Sequence, residues 1–299
     1  MTRKLVSLLL TFALLLTAAA FAEGESITVT DMFGRSVTLN GPAERIVALS
    51  AADCEILCAL GCEEKIVGRG AYCNYPESIL DLPVVESGAE TNIEQIIAMA
   101  PQAVVMADMA QTKDHVAQLE NNGIAVVVLN ADSIEGTYEA IRILGAMTAK
   151  DAEAEAMIAD MQATFDDIAS KVQAGDKSVY FEISPLQWGL WTAGSGTFMD
   201  ELAAICGVKN AFGDVAGWAE VSEEQVLLRN PDYIVTTSGY YGEGPLPDEE
   251  IMGRAGWDSI AAVADGMVYA ADNDVITRPG PRLKDAALNL YEFFYGNEK

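Results

Sequence analysis

The sequence predicts an α/β protein of two related lobes joined by a single long α-helix, and three observations predict it. Short apolar strand runs alternate with helical segments over most of the chain, the pattern of parallel sheets covered on both faces. An internal repeat relates the two halves. Asn92-Ile93-Glu94-Gln95-Ile96-Ile97, with Pro101 and Val104-Val105 downstream, matches Ser222-Glu223-Glu224-Gln225-Val226-Leu227, with Pro231 and Ile234-Val235, at a constant offset of 130 residues. Between Thr148 and Val172 there is no strand signal, and Met157, Ile158, Met161, Phe165, Ile168 and Val172 form one helical stripe.

Each element follows in order. ITVTD and SVTL alternate around Gly34 and predict a hairpin over 27–39. Ile46-Val47-Ala48-Leu49 reads as a buried strand, Ser50 as a cap, and Cys54 to Leu60 as the following helix, stopped at Gly61. Strand 65–68, helix 92–100, strand 103–106, helix 112–122 and strand 125–129 complete the first half. After the long helix come strand 178–183, a glycine-rich turn, helices 197–206 and 222–229, strands 233–237 and 267–270, and a closing helix over 283–295. CEILCALG (54–61) and DELAAICG (200–207) echo each other more weakly. The expected boundaries are a leader over 1–22, an N-terminal αβ lobe over 23–147, the bridging helix over 148–173 and a C-terminal αβ lobe over 174–299.

The leader assignment rests on Arg3-Lys4, an apolar run from Leu5 to Ala19 and small residues at Ala20 and Ala22. It implies export to a periplasm-like space, with no membrane insertion after cleavage. No cysteine lies near the cut, so no lipid is expected there. The net charge of −27 becomes more negative once Arg3 and Lys4 are removed, and such a surface repels nucleic acid. The five cysteines, at 54, 58, 62, 73 and 206, are an odd set for a disulfide framework. Cys54, Cys58 and Cys62 fall on one helix face, where a buried apolar role outweighs a thiolate metal site.

Enzymatic readings fail on composition. His115 is the single histidine, set in a polar segment that predicts a solvated helix face. Gly194-Ser195-Gly196 is not a nucleophile elbow, and no phosphate-cradling glycine motif with lysine occurs. Neither an enzyme activity nor a cofactor is expected.

Parallel αβ lobes bind ligands outside the carboxyl ends of their strands, here the loops after 49, 68, 106, 183, 237 and 270. Those loops carry Tyr72, Tyr75, Met109, Trp188, Trp191, Trp218, Tyr240 and Tyr241. Such rings offer broad apolar contact with a polar tip, suited to a flat or bulky ligand. Arg278 is the expected basic ligand contact, because a guanidinium binds carboxylates and phosphates bidentately.

The markers D31-M-F-G-R-S-V-T-L39, RIVALS with Glu55 and ALG61, NYP (74–76), the paired repeats and TRPGPR (277–282) span the mature chain. Together they resemble the class III periplasmic binding proteins for ferric siderophores, haem and cobalamin. The resemblance implies two Rossmann-like lobes bridged by one long helix. It also implies a metal chelate held in the cleft and an ABC permease dimer with its ATPase as partner, served by a monomer. It places an aromatic ligand contact at Trp191 and permease-docking carboxylates at Glu94 and Glu224. NYP and the paired repeats lean towards corrinoids, although Gly88 stands where a cobalamin binder carries tryptophan. The few arginines available to the cleft (Arg69, Arg278 and Arg282) favour a neutral or weakly charged chelate. The alternatives left open are haem, a direct metal ion of the same importer class, or a sensor subunit without transport.

Overall fold

The computed structural model describes residues 26–88, 90–108, 112–237, 239 and 244–296. The N-terminal half runs β1 (Ile27–Thr30), β2 (Ser36–Leu39), β3 (Ile46–Ala48), α1 (Ala51–Ala59), β4 (Ile66–Gly70), β5 (Val84–Val85), α2 (Ile93–Ala98), β6 (Ala103–Ala107), α3 (Thr112–Glu120), β7 (Ala125–Leu129) and α4 (Ile134–Thr148). Helix α5 (Asp151–Lys171) follows. The C-terminal half runs β8 (Ser178–Glu182), β9 (Leu190–Ala193), α6 (Phe198–Ile205), β10 (Lys209–Asn210), β11 (Trp218–Val221), α7 (Glu223–Arg229), β12 (Tyr233–Thr236), α8 (Pro247–Met252), α9 (Ala261–Ala264), β13 (Val268–Ala270), α10 (Asn273–Ile276) and α11 (Leu283–Tyr295).

The expected alternation produces two parallel sheets, ordered β5-β4-β3-β6-β7 and β10-β8-β12-β13. Their inner strands are buried on both faces, and successive residues go to different cores. In β6, Ala103 and Val105 enter a core shared across the molecule, while Val104 and Met106 enter a core of the first lobe. In β8, Val179 and Phe181 face the shared core and Tyr180 a core of the second lobe. The shared core also takes in Ile158, Met161, Phe165 and Ile168 of α5. At 21 residues, α5 is roughly 30 Å long, and it packs against α4, α6 and α11.

The expected hairpin β1–β2 forms, with Ile27 opposite Leu39. Its turn is built on buried Asp31, which accepts from the Phe33 and Arg35 amides and from Arg35 Nε at 2.9–3.0 Å. The two repeat segments are equivalent helix starts. Asn92 caps α2 by accepting from the Gln95 amide, and Ser222 caps α7 by accepting from the Gln225 amide in a reciprocal capping box.

Four local expectations are corrected. Helix α4 occupies a stretch in which no element was expected. Two glycines and several β-branched residues weaken its local signal, but Tyr138, Ile141 and Leu144 bury one face and Ser133 caps the start. Gly145 permits the contact with α5, since a Cβ there would lie 2.7 Å from the Ala154 Cβ. The glycine-rich turn after β8 contains β9, paired antiparallel with β11, a long-range pairing that local pattern cannot reveal. His115 is buried in α3 rather than solvated. The bridging helix itself begins at Asp151, because α4 ends at Ala149 in the left-handed region.

Candidate functional site

Both sheets end, at their carboxyl edges, in concave surfaces. On the first lobe a cavity of about 300 Å³ is lined by Leu49, Ser50, Met106, Ala107, Gly88 and Tyr72, a largely apolar set. On the second lobe a cavity of about 520 Å³ is lined by Leu246, Pro247, Asp248 and the segment 270–274. These are the loops that the strand-end rule selects.

The two surfaces meet at a polar bridge. Glu55 of α1, only 2% exposed in its side chain, accepts from Arg278 Nη1 at 2.8 Å and from Arg282 Nε and Nη2 at 2.7 and 2.6 Å. Arg278 also donates to Asn74 Oδ1 at 2.7 Å, Asp274 Oδ1 at 2.6 Å and the Tyr72 carbonyl at 3.2 Å. Asn74 in turn donates to Asp274 Oδ2 at 2.7 Å. The Arg282 guanidinium lies 4.2 Å over the Tyr75 ring. Hydrogen bonding to Glu55 raises the pKa of Arg282 further.

Arg278, expected to contact ligand, thus has both terminal nitrogens engaged by protein acceptors that include residues of the other lobe. Arg69 is equally committed: buried, it donates to the carbonyls of Ile79, Cys73 and Leu80 at 2.9–3.1 Å and pins the loop between them. Asn74 and Glu55 carried only the family resemblance in the sequence, and Asp274 carried no signal. An acid between Cys54 and Ile56 on a helix with a buried face was the available clue, because such a charge demands a partner.

Tyr72 and Tyr75 are exposed, at 78% and 48%. Trp188 and Trp191, 64% and 40% exposed, follow the carboxyl end of β8, Trp191 on β9 rather than in a turn. Trp218 is half-buried: its ring meets Phe198 edge-on at 5.4 Å and its Nε1 donates to Asp132 Oδ1 at 3.2 Å, so it joins elements on either side of α5. Met109, Tyr240 and Tyr241 lie outside the described residues.

Deeper in the second lobe, Arg254 makes a bidentate pair with Glu182 at 2.7 and 2.8 Å and sits over the Trp257 ring. Burial pushes the Glu182 pKa up, with Arg254 opposing. Asp53, in the first turn of α1, is raised to about 7 by burial, against a hydrogen bond from Ser50; its Oδ2 has no partner. Hydrogen bonds with Cys58 and Cys73, together with burial, hold the Cys54 thiol far above its usual range. Among the described residues no group of three or more His, Cys, Asp or Glu side chains is arranged to hold a metal ion.

Glu94 and Glu224 are exposed, each in the first turn of its matched helix. The Ser222 hydroxyl lowers the pKa of Glu224. No helix among the described residues is long and apolar enough to cross a membrane.

Comparison with known proteins agrees with this geometry. The chain is 32% identical over 276 residues to the uncharacterized ABC transporter substrate-binding lipoprotein YvrC of Bacillus subtilis, covering 90% of this chain and 85% of that one. It is 27% identical over 247 residues to the vitamin B12-binding protein of Vibrio cholerae serotype O1, covering 82% and 87%. The crystal structure of a possible iron-binding (periplasmic solute-binding) protein from Staphylococcus epidermidis superposes with a TM-score of 0.73 at 28% identity, over 85% of this chain and 99% of that chain. The periplasmic binding protein family matches residues 46–275, and with two parallel αβ lobes about one long helix, this chain belongs to that family.

Proposed function

We propose that this protein captures a metal chelate of the corrinoid or iron-siderophore class in the cleft between its lobes and delivers it to an ABC permease. The observation that carries the reading is the apolar surface at the carboxyl end of the first sheet, Leu49, Met106, Ala107 and Gly88, with exposed Tyr72 at its edge. Tyr75, Trp188 and Trp191 are the further exposed rings assigned to ligand contact. A bulky, weakly charged ligand suits such walls, because the arginines nearest the cleft already have protein partners. The names of the relatives, a vitamin B12-binding protein and a possible iron-binding protein, support the same class. Trp218, Tyr240 and Tyr241 complete the proposed set, and Arg278 acts on the ligand through the rim it holds or at its edge.

Glu94 and Glu224 are the proposed docking points for the two permease subunits. Export is proposed to proceed through the leader 1–22. Unlike the relative named a lipoprotein, this chain has its first cysteine at Cys54, so release without a lipid is the expected outcome. The mass of the secreted protein tests it. No turnover is expected; generic ester hydrolysis lost in Ser195→Ala would reverse that.

Fluorescence titration with cobinamide, cobalamin, haem and ferric siderophores tests the binding function. One of them binds in the micromolar range or tighter, and Trp191→Ala weakens it about tenfold through lost apolar contact. Unchanged affinity in Trp191→Ala would move that residue off the ligand.

A further inference from the structure

The exposed rings of the first lobe are held by the second. Tyr72 and Tyr75 sit in an irregular segment between β4 and the short helical turn Glu77–Asp81. Within the first lobe, the backbone of this segment is tied by the Cys73 amide to Gly70 O at 3.1 Å and by Arg69 to Cys73 O at 3.0 Å. Its Cys73 side chain is buried and donates to Ala48 O at 3.5 Å, and on either side of Cys73 the anchors come from 274–282: Arg278 on the Tyr72 carbonyl and Asn74, Asp274 on Asn74, and Arg282 over the Tyr75 ring. Both arginines share one carboxylate, Glu55 of α1, whose Oε1 accepts from each and whose Oε2 accepts from Arg282, while Asp274 holds the other terminal nitrogen of Arg278.

We propose that Glu55 is a positioning residue for ligand capture. It aims Arg278 and Arg282 so that the second lobe holds the Tyr72–Tyr75 rim in place, and the rim grips ligand only while the lobes keep this spacing. A fork-shaped guanidinium fixed by a buried carboxylate has one orientation, so the rim it holds is pre-organised before ligand arrives. Glu55 needs no contact with the ligand to act this way. The proposal rests on the cleft being the chelate site, but its first readout does not require a ligand.

The test compares Glu55→Gln and the milder Arg282→Lys with the wild type by hydrogen exchange and by titration with cobinamide and haem. Arg282→Lys keeps the charge and loses the guanidinium over Tyr75 and the paired hydrogen bonds to both Glu55 oxygens. Amide exchange over 71–75 speeds up in both variants, by about tenfold for loss of one anchor of a pre-organised loop, while α3 and the outer sheet core stay protected. Chelate Kd rises about as much, since a less populated rim conformation reduces apparent affinity by its fraction. Unchanged exchange over 71–75 in Arg282→Lys, or exchange raised equally throughout the chain, would overturn the proposal even if Glu55→Gln proves unstable. A wild type that binds none of cobinamide, cobalamin, haem and ferric siderophores would refute the chelate reading of the cleft and leave the exchange result to decide the positioning role.

Discussion

Ala100 and Asn230, 130 positions apart, both hold left-handed backbones, at φ +48° and +43°. Each stands eight residues after its matched helix cap, Asn92 or Ser222. The following residues also correspond: the Gln102 amide donates to Arg45 O and the Asp232 amide to Ser178 O, each locking its helix exit to the first strand of its sheet. The two lobes therefore share a helix start, a helix end and a strand tie.

Alanine lacks the local side-chain hydrogen bonding that eases asparagine into this conformation. Ala100→Gly is expected to stabilise the protein by on the order of 0.5–1 kcal/mol, the left-handed penalty less the entropy glycine adds to the unfolded chain. Ala98→Gly, two residues earlier within α2, is expected to destabilise it by about 1 kcal/mol. Urea denaturation of both variants checks the pair of signs.

The Glu182–Arg254 pair is buried on both sides, at 1% and 3% exposure. Arg254→Ala leaves a carboxylate without its bidentate partner and is expected to cost about 3–5 kcal/mol. Arg254→Lys cannot reproduce the fork and falls in between. Equal stability of Arg254→Ala and wild type in denaturant would show that the pair relaxes to solvent.

Asp53 predicts a pH signature. Its folded pKa of about 7 lies above the ordinary 3.8, so the folded state keeps a proton that the unfolded chain releases. The stability this contributes is fully present below the unfolded value and is lost as pH rises through the folded one. The slope is about 1.4 kcal/mol per pH unit in that window. Asp53→Asn removes the slope, so the stability of the variant relative to wild type should climb between pH 4 and 7 and level off above. A difference independent of pH would place a charged Asp53 in the fold.

Glu94→Lys with Glu224→Lys separates docking from capture. Losing such complementary charges costs on the order of 2–5 kcal/mol per buried partner at an interface, enough to abolish transport and permease pull-down. Chelate affinity and melting temperature should stay at wild-type values, because both carboxylates are exposed. Uptake that persists, or affinity that falls with transport, would return the two residues to helix-end or pocket roles.

Much of this architecture is legible locally. The hairpin, the strands of both sheets, the helix caps of the repeat and the stripe of α5 each show in a window of a few residues, where periodicity and capping chemistry act. What escapes depends on distant partners. Helix α4 is stabilised by packing against α5 and β1 more than by its own propensity, and β9 exists because β11 pairs with it. The site follows the same division. The exposure of the candidate rings Tyr72, Tyr75, Trp188 and Trp191 is what their loops lead one to expect, but the partner of Arg278 is Glu55, which is 223 residues away in sequence.

The most direct test of the central claim is the absorption spectrum and mass of the molecule that co-purifies with the exported protein from its native cells. One chelate per chain is expected, with the visible absorption of a corrinoid or ferric siderophore, released on denaturation. Protein that is folded and free of any chelate, and that takes up none when cobinamide, cobalamin, haem and ferric siderophores are each supplied in excess, would contradict it.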